Sequence, residues 1–232
     1  GFPGVYYSRN ITPAGIGNWT DGEVMRAITA GVTKDGKALF PVMPHHLYGQ
    51  LDEQDIKAII AYLRTLKPIQ NQIPESKSDF PFNLLLNTMP AKPKFSHIPP
   101  KTDQVAYGKY LVTAAACAEC HTPKDKGKNI EGMEFAGGME FKIPETGTLR
   151  SLNITPDKEN GIGNWSREAF INRFKMYDNP QAQHIAVAKG EFNTLMPWIM
   201  YSGMTEEDLG AIYAYLQSVK PVENKVERFT KL

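Results

Sequence analysis

The run Cys117-Ala118-Glu119-Cys120-His121 decides how the rest of the chain is read. Two thiols three positions apart, with a histidine directly after the second, match the demands of covalent haem attachment. Each sulfur adds to a vinyl group, and the adjacent imidazole reaches the iron from one face. Other uses of two close cysteines fit less well. A redox dithiol of the thioredoxin kind follows a strand in a βαβ setting, and the sequence around 117–120 has none. Zinc needs about two further ligands, and His45, His46, His97 and His184 form no spaced pair near the run. Both cysteines of the chain lie in this run, so they cannot staple distant parts of the fold.

Internal repetition sets the organisation. Asn10-Ile11-Thr12-Pro13 recurs as Asn153-Ile154-Thr155-Pro156, and Gly15-Ile16-Gly17-Asn18-Trp19 recurs as Gly161-Ile162-Gly163-Asn164-Trp165. Val42-Met43-Pro44 answers to Leu195-Met196-Pro197, and Ala58-Ile59-Ile60-Ala61-Tyr62-Leu63 answers to Ala211-Ile212-Tyr213-Ala214-Tyr215-Leu216. Four matches in one order indicate two copies of one domain. The reading assigns 1–67 to the first copy, the Pro-rich stretch 68–100 to an extended linker packed across the two, and 101–232 to the second.

Helices are the regular elements with clear signals. Thr20-Asp21-Gly22-Glu23 is a capping box opening a helix to about Gly31, and Ser166 caps the equivalent helix. Apolar residues at helical spacing mark two closing helices, over 52–66 and 205–219, each ending near Lys-Pro. A third helix, 103 to about 118, is expected to lead straight into the cysteine run. No strand alternation is convincing, so the expected class is all-α with long loops.

The iron needs a second axial ligand. The chain has nine methionines, and a methionine is ordinarily core filler. Met196 stands out because Pro197 removes a backbone donor and stiffens the loop that must hold a weak thioether, just before the closing helix. Its counterpart in the first copy is Met43-Pro44. Met133, Met139, Met200 and Met204 lack such a counterpart, and His184 is the main rival.

These stretches, together with Tyr107-Gly108-Lys109-Tyr110, follow one another as in class I cytochrome c domains. The chain resembles most the cytochrome subunits of membrane-bound alcohol and gluconate dehydrogenases, over essentially its whole length. The resemblance implies two tandem cytochrome c-like domains with His121 and Met196 as axial ligands; by the repeat, Met43 is the expected distal ligand of a first haem in a longer protein, with His45 and His46 as alternatives. It also implies that Gly108 and Tyr110 cross Tyr215 closely, glycine permitting the approach. In such domains the loop around the tryptophan faces the haem propionates, so Trp165 and Asn153 are expected to hydrogen-bond them.

One expectation fails inside the sequence. Subtracting the 143-residue offset of the first repeated motif from Cys117 and His121 carries them to −26 and −22, ahead of residue 1. The first copy thus lacks its haem-attachment segment here. It is expected to be part of a longer dihaem protein; the alternative is a scaffold that has lost its haem.

Bulk properties restrict the function. The 232 residues are 41% hydrophobic, and 26 basic residues stand against 25 acidic ones. That balance points to neither nucleic acid nor an anionic membrane as partner. No apolar run is long enough to span a bilayer, and Gly1-Phe2-Pro3-Gly4 has neither the basic nor the apolar part of a signal peptide. The expected role is electron transfer without catalysis, in the periplasm or otherwise outside the cytoplasm, where CxxCH motifs receive haem. Redox proteins are the expected partners: a dehydrogenase, an oxidase or another cytochrome. A dihaem enzyme of the peroxidase or thiosulfate-oxidising kind is the alternative, and it would need an open position on one iron.

Overall fold

The computed structural model describes residues 3–232; Gly1 and Phe2, at the head of the segment assigned to the first domain, lie outside the described residues. The chain is mostly helical and divides into two compact units, one reaching Ile98 and the other running from Pro99 to Leu232.

In the first unit, β1 (Gly4–Val5) precedes α1 (Pro13–Ile16), α2 (Asp21–Ala30), α3 (His45–Tyr48) and α4 (Glu53–Thr65). The capping box at Thr20 forms as expected, with the Thr20 hydroxyl accepting from Glu23 N and the Glu23 carboxylate accepting from Thr20 N. Gly31 ends α2 at φ 72°, a left-handed C-cap that glycine adopts without steric cost. Helix α4 starts at Asp52, whose carboxylate accepts from Gln54 N, and buries Ile56 and Ile60.

Residues 68–98, most of the stretch 68–100 read as linker, follow the first unit's closing helix. They supply β2 (Lys77–Ser78), antiparallel to β1, and α5 (Phe82–Leu86). Beyond α5, Lys94 N donates to Gly49 O at 2.7 Å and Ile98 N donates to Asp52 Oδ2 at 3.1 Å. The prolines suit this course, because an extended strand without ladder partners loses nothing when an N–H is missing.

The second unit opens with α6 (Gln104–Ala114) and α7 (Cys117–His121). Two short ribbons follow, β3 (Lys124–Asp125) with β4 (Lys128–Asn129), and β5 (Glu140–Ile143) with β6 (Gly147–Arg150). Then come α8 (Arg167–Lys175), α9 (Trp198–Ser202), α10 (Glu206–Ser218) and β7 (Phe229–Lys231), which pairs with β6. The helix expected over 103–118 is two helices. Ala116 takes φ 53°, ψ 34° between them, a left-handed conformation costing a non-glycine residue roughly 1–2 kcal/mol, and the break re-aims the cysteine turn. The strands also depart from expectation: Glu140-Phe141-Lys142-Ile143 alternates exposed and half-buried, a period-two pattern only four residues long.

The core of this unit is Val112, Phe135, Ile162, Phe170, Ile171, Phe174, Leu209, Ile212 and Leu216. Burying each large aliphatic side chain contributes about 1.5–3 kcal/mol. Helix α6 crosses α10 at Gly108. A Cβ there would collide with the backbone carbonyl of Ala211 and with Tyr215 Cβ. At the N-terminal ends of the pair, Tyr107 Oη donates to Asp208 Oδ1 at 2.8 Å and Lys101 Nζ bonds Glu207 at 2.7 Å. Burial and the Asp208 bond push the Tyr107 phenol up to about 12.

The repeated Asn-Ile-Thr-Pro builds the same clamp in both units. Asn10 Oδ1 accepts from Thr12 N and Oγ1 at 3.0 and 2.7 Å, while Asn10 Nδ2 donates to Ile69 O at 2.8 Å. Asn153 Oδ1 accepts from Thr155 N and Oγ1 at 2.9 and 2.8 Å, and Asn153 Nδ2 donates to Val222 O at 2.8 Å. Ile69 and Val222 hold the same place just beyond the closing helices, so the motif pins the chain that leaves α4 and α10.

Gly108→Ala is expected to lower stability by about 2–3 kcal/mol, because the obstructing atoms are mostly backbone and the gain of about 1 kcal/mol in helix propensity does not offset the clash. Chemical denaturation of the haem-loaded chain measures this; an unchanged midpoint would contradict the close crossing.

Candidate functional site

The sequence-derived residues Cys117, Cys120 and His121 sit on α7, delivered by the turn at Ala116. The His121 ring is packed by protein, and its Nδ1 lies 2.7 Å from Leu152 O. A carbonyl only accepts, so Nδ1 carries the proton and Nε2 keeps its lone pair. Burial lowers the His121 pKa, while the Leu152 bond opposes the shift. The ring is therefore held neutral, in one tautomer and one orientation, the arrangement a metal-ligating imidazole needs.

The cysteines do not behave as a reactive dithiol. Cys117 is half-buried, and burial pushes its thiol up to about 12. Cys120 is exposed but also shifted upward, by burial and then by Glu119, with Lys124 opposing. A redox thiol pair is made nucleophilic by the opposite shift. Among the described residues, no three His, Cys, Asp or Glu side chains gather in a way that would hold a metal ion.

Met196, Cys117, Ala118, Ile154, Trp198 and Tyr201 each pack against the core cluster of the second unit. Thr194 Oγ1 accepts from Met196 N at 3.1 Å, and Met196 O accepts from Trp198 N at 2.8 Å, so the backbone on both sides of the thioether is fixed. Tyr201, on α9, donates from its hydroxyl to Ala115 O at 2.8 Å. That bond ties the helix after Met196 to the residue two places before Cys117. His184 is exposed in a short 3₁₀ turn, and Met200 is 79% exposed; Met204, by contrast, also packs on the core cluster. Met43 is half-buried in the first unit, and His46 beside its short helix is exposed.

Asn153 and Trp165 stand in different surroundings. Both Asn153 amide hydrogens are committed to backbone, to Val222 O and to Asn224 O at 3.3 Å, leaving none for a haem propionate. Trp165 is 39% exposed, and its carbonyl accepts from the Tyr213 hydroxyl at 2.6 Å. The asparagine is a structural clamp, and sequence reading missed this because Asn-x-Thr is equally compatible with ligand contact. Sequence reading also missed Trp198. Its Nε1 is buried and has no hydrogen-bond partner among the described residues, although the indole next to Met196-Pro197 is a readable signal.

A helical domain with a Cys-x-x-Cys-His turn packed against its core, a locked histidine and an orphaned buried donor beside a methionine fits a c-type haem. The chain belongs to the cytochrome c family: residues 105–220 match the family's profile. Its cofactor is haem c, held covalently. The diheme cytochrome c-type of Cereibacter sphaeroides is 30% identical over 235 residues, covering 95% of this chain and 73% of the relative. The fructose dehydrogenase cytochrome subunit of Gluconobacter japonicus is 31% identical over 230 residues, covering 93% and 45%. The gluconate 2-dehydrogenase cytochrome c subunit of Pantoea cypripedii is 26% identical over 246 residues, covering 98% and 54%. The chain thus spans about half the length of these two dehydrogenase subunits. No helix among the described residues is long and apolar enough to cross a membrane.

Tyr201→Phe is expected to cost about 1 kcal/mol of stability and to loosen the Met196 loop. Thermal unfolding and an alkaline titration of the methionine–iron band measure both; the band should bleach at lower pH than in the parent. An unchanged titration would mean that the tie to Ala115 does not hold the loop.

Proposed function

We propose that the chain is an electron-carrying module of a dihaem or larger cytochrome c, working outside the cytoplasm between a dehydrogenase and a downstream acceptor. The observation that carries electron transfer is the Tyr201–Ala115 bond, which joins the segments bearing His121 and Met196. Cys117 and Cys120 would hold haem, His121 and Met196 are the residues that would ligate its iron, and the bound group would supply a one-electron couple. The chain's own contribution is to fix the two ligands and to exclude water. The dehydrogenase partner is supported by the names of the relatives alone, which is an associational warrant.

A second haem in the complete protein is supported by the face of α4. In α10 the residues Ala211 and Ile212 are 0% and 4% exposed beneath α6. Their counterparts in α4 are open: Ala58 is exposed, Ile59 is 44% exposed, and Tyr62, the counterpart of Tyr215, is 66% exposed. A helix like α6, carrying glycine at the crossing and leading to its own cysteine run, would fit this face. Met43 would then be the distal ligand of the first haem. On this reading 1–67 is the later part of one cytochrome c domain and 101–232 is a second.

The test is a pyridine haemochrome count with intact mass, on this chain and on the protein from its complete gene after periplasmic maturation. One covalent haem on this chain and at least two on the complete protein are expected. A complete protein with a single haem would leave the first unit as a scaffold. Absence of covalent haem from this chain would overturn the electron-carrier reading.

A further inference from the structure

In both units, the residue two places after the methionine is a nitrogen-bearing ring with no partner. Trp198 Nε1 in the second unit and both ring nitrogens of His45 in the first are buried, without hydrogen-bond partners among the described residues. His45 is 2% exposed. A buried donor left unpaired keeps its full desolvation penalty, and such groups are rare in native proteins. Finding them at equivalent places beside Met196-Pro197 and Met43-Pro44 is not accounted for by packing alone.

The setting of Trp198 fixes its ring firmly. Tyr177 stacks on it at 5.4 Å and 11°, Phe174 meets it edge-on at 5.2 Å, and the Arg173 guanidinium lies 4.5 Å from its centroid. Aromatic faces and a guanidinium offer no oxygen acceptor, so the neighbours hold the indole without satisfying its N–H. His45 packs on Gly31, where a Cβ would collide with the imidazole. Gly31 follows α2 much as Tyr177 follows α8: small residue under one ring, large residue over the other.

We infer that this position carries a positioning residue whose ring N–H hydrogen-bonds an acceptor that haem binding brings to it, either a propionate oxygen or the thioether of the iron-bound methionine. The inference rests on the haem reading of the second unit. Both acceptors give the same sign. A donor to a propionate partly neutralises a negative charge that favours ferric iron, and a donor to the thioether withdraws density from the ferric ion. Removing the N–H therefore lowers the reduction potential.

The test uses the full chain, matured with covalent haem and labelled with 15N at its three tryptophans. In the reduced protein the Trp198 indole N–H, assigned by its loss in Trp198→Phe, is expected to exchange with solvent much more slowly than in an exposed indole. The potential is expected to fall in Trp198→Phe and to recover in Trp198→His, which installs the ring that the first unit uses. Resonance Raman of the propionate bending mode and the methionine–iron band then tell the two acceptors apart. A fast-exchanging Trp198 N–H, or a Phe variant with the parent's potential, overturns the inference while leaving haem binding intact. If the Phe variant does not load haem, the exchange rate in the parent decides, with the resonance assigned through Trp198→His. Absence of haem from the parent chain would instead sink the underlying reading.

Discussion

The crossing of α6 over α10 at Gly108 is the constraint from which the second unit follows. Helix α6 runs directly to the Ala116 break and the cysteine turn, and α10 follows directly on the methionine loop and α9. Because the two backbones touch at Ala211, there is one depth and one register at which the pair can lie. The ends of the pair are then fastened separately. Tyr107 and Lys101 bond Asp208 and Glu207 where the two helices begin, and Tyr201 bonds Ala115 at the C-terminal end of α6. A site that must change oxidation state with little rearrangement benefits from ligands mounted on so short and rigid a frame.

Local electrostatics follow from the same packing. Burial lowers the His121 pKa and raises that of Cys117, so the imidazole stays neutral and the thiol stays protonated near neutral pH. Neither shift suits acid–base or thiolate chemistry, while a neutral imidazole with its Nδ1 proton fixed on Leu152 O suits metal ligation. The first unit keeps the same clamp and closing helix, yet Ile59 and Tyr62 on α4 are open where α6 covers their counterparts on α10. Differences in burial between equivalent residues accompany the differences in sequence between the two copies.

Much of this architecture is legible in the sequence. The CxxCH run, the repeated motifs, the capping box at Thr20 and the closing helices are written in residue types whose local preferences coincide with the fold. The break at Ala116 is not legible, because alanine favours a continuing helix and only tertiary packing forces it into the left-handed region. The ribbon of Glu140–Ile143 and Gly147–Arg150 is too short for alternation to speak clearly, and its third strand lies about 80 residues downstream at Phe229–Lys231. Asn153 is easily misread, because an amide that satisfies backbone groups and one that meets a ligand look alike in sequence. Trp198 is masked by its neighbours, since Met196-Pro197 is the stronger signal and a lone tryptophan ordinarily reads as core.

The central claim is that Met196 opposes His121 across the iron. A proton NMR spectrum of the reduced, haem-loaded chain tests it most directly, since a methionine bound to ferrous haem has its methyl resonance moved far upfield by the ring current. The account predicts one such resonance, lost in Met196→Leu and kept in Met204→Leu. Its survival in Met196→Leu, or its absence from the parent protein, would contradict the account.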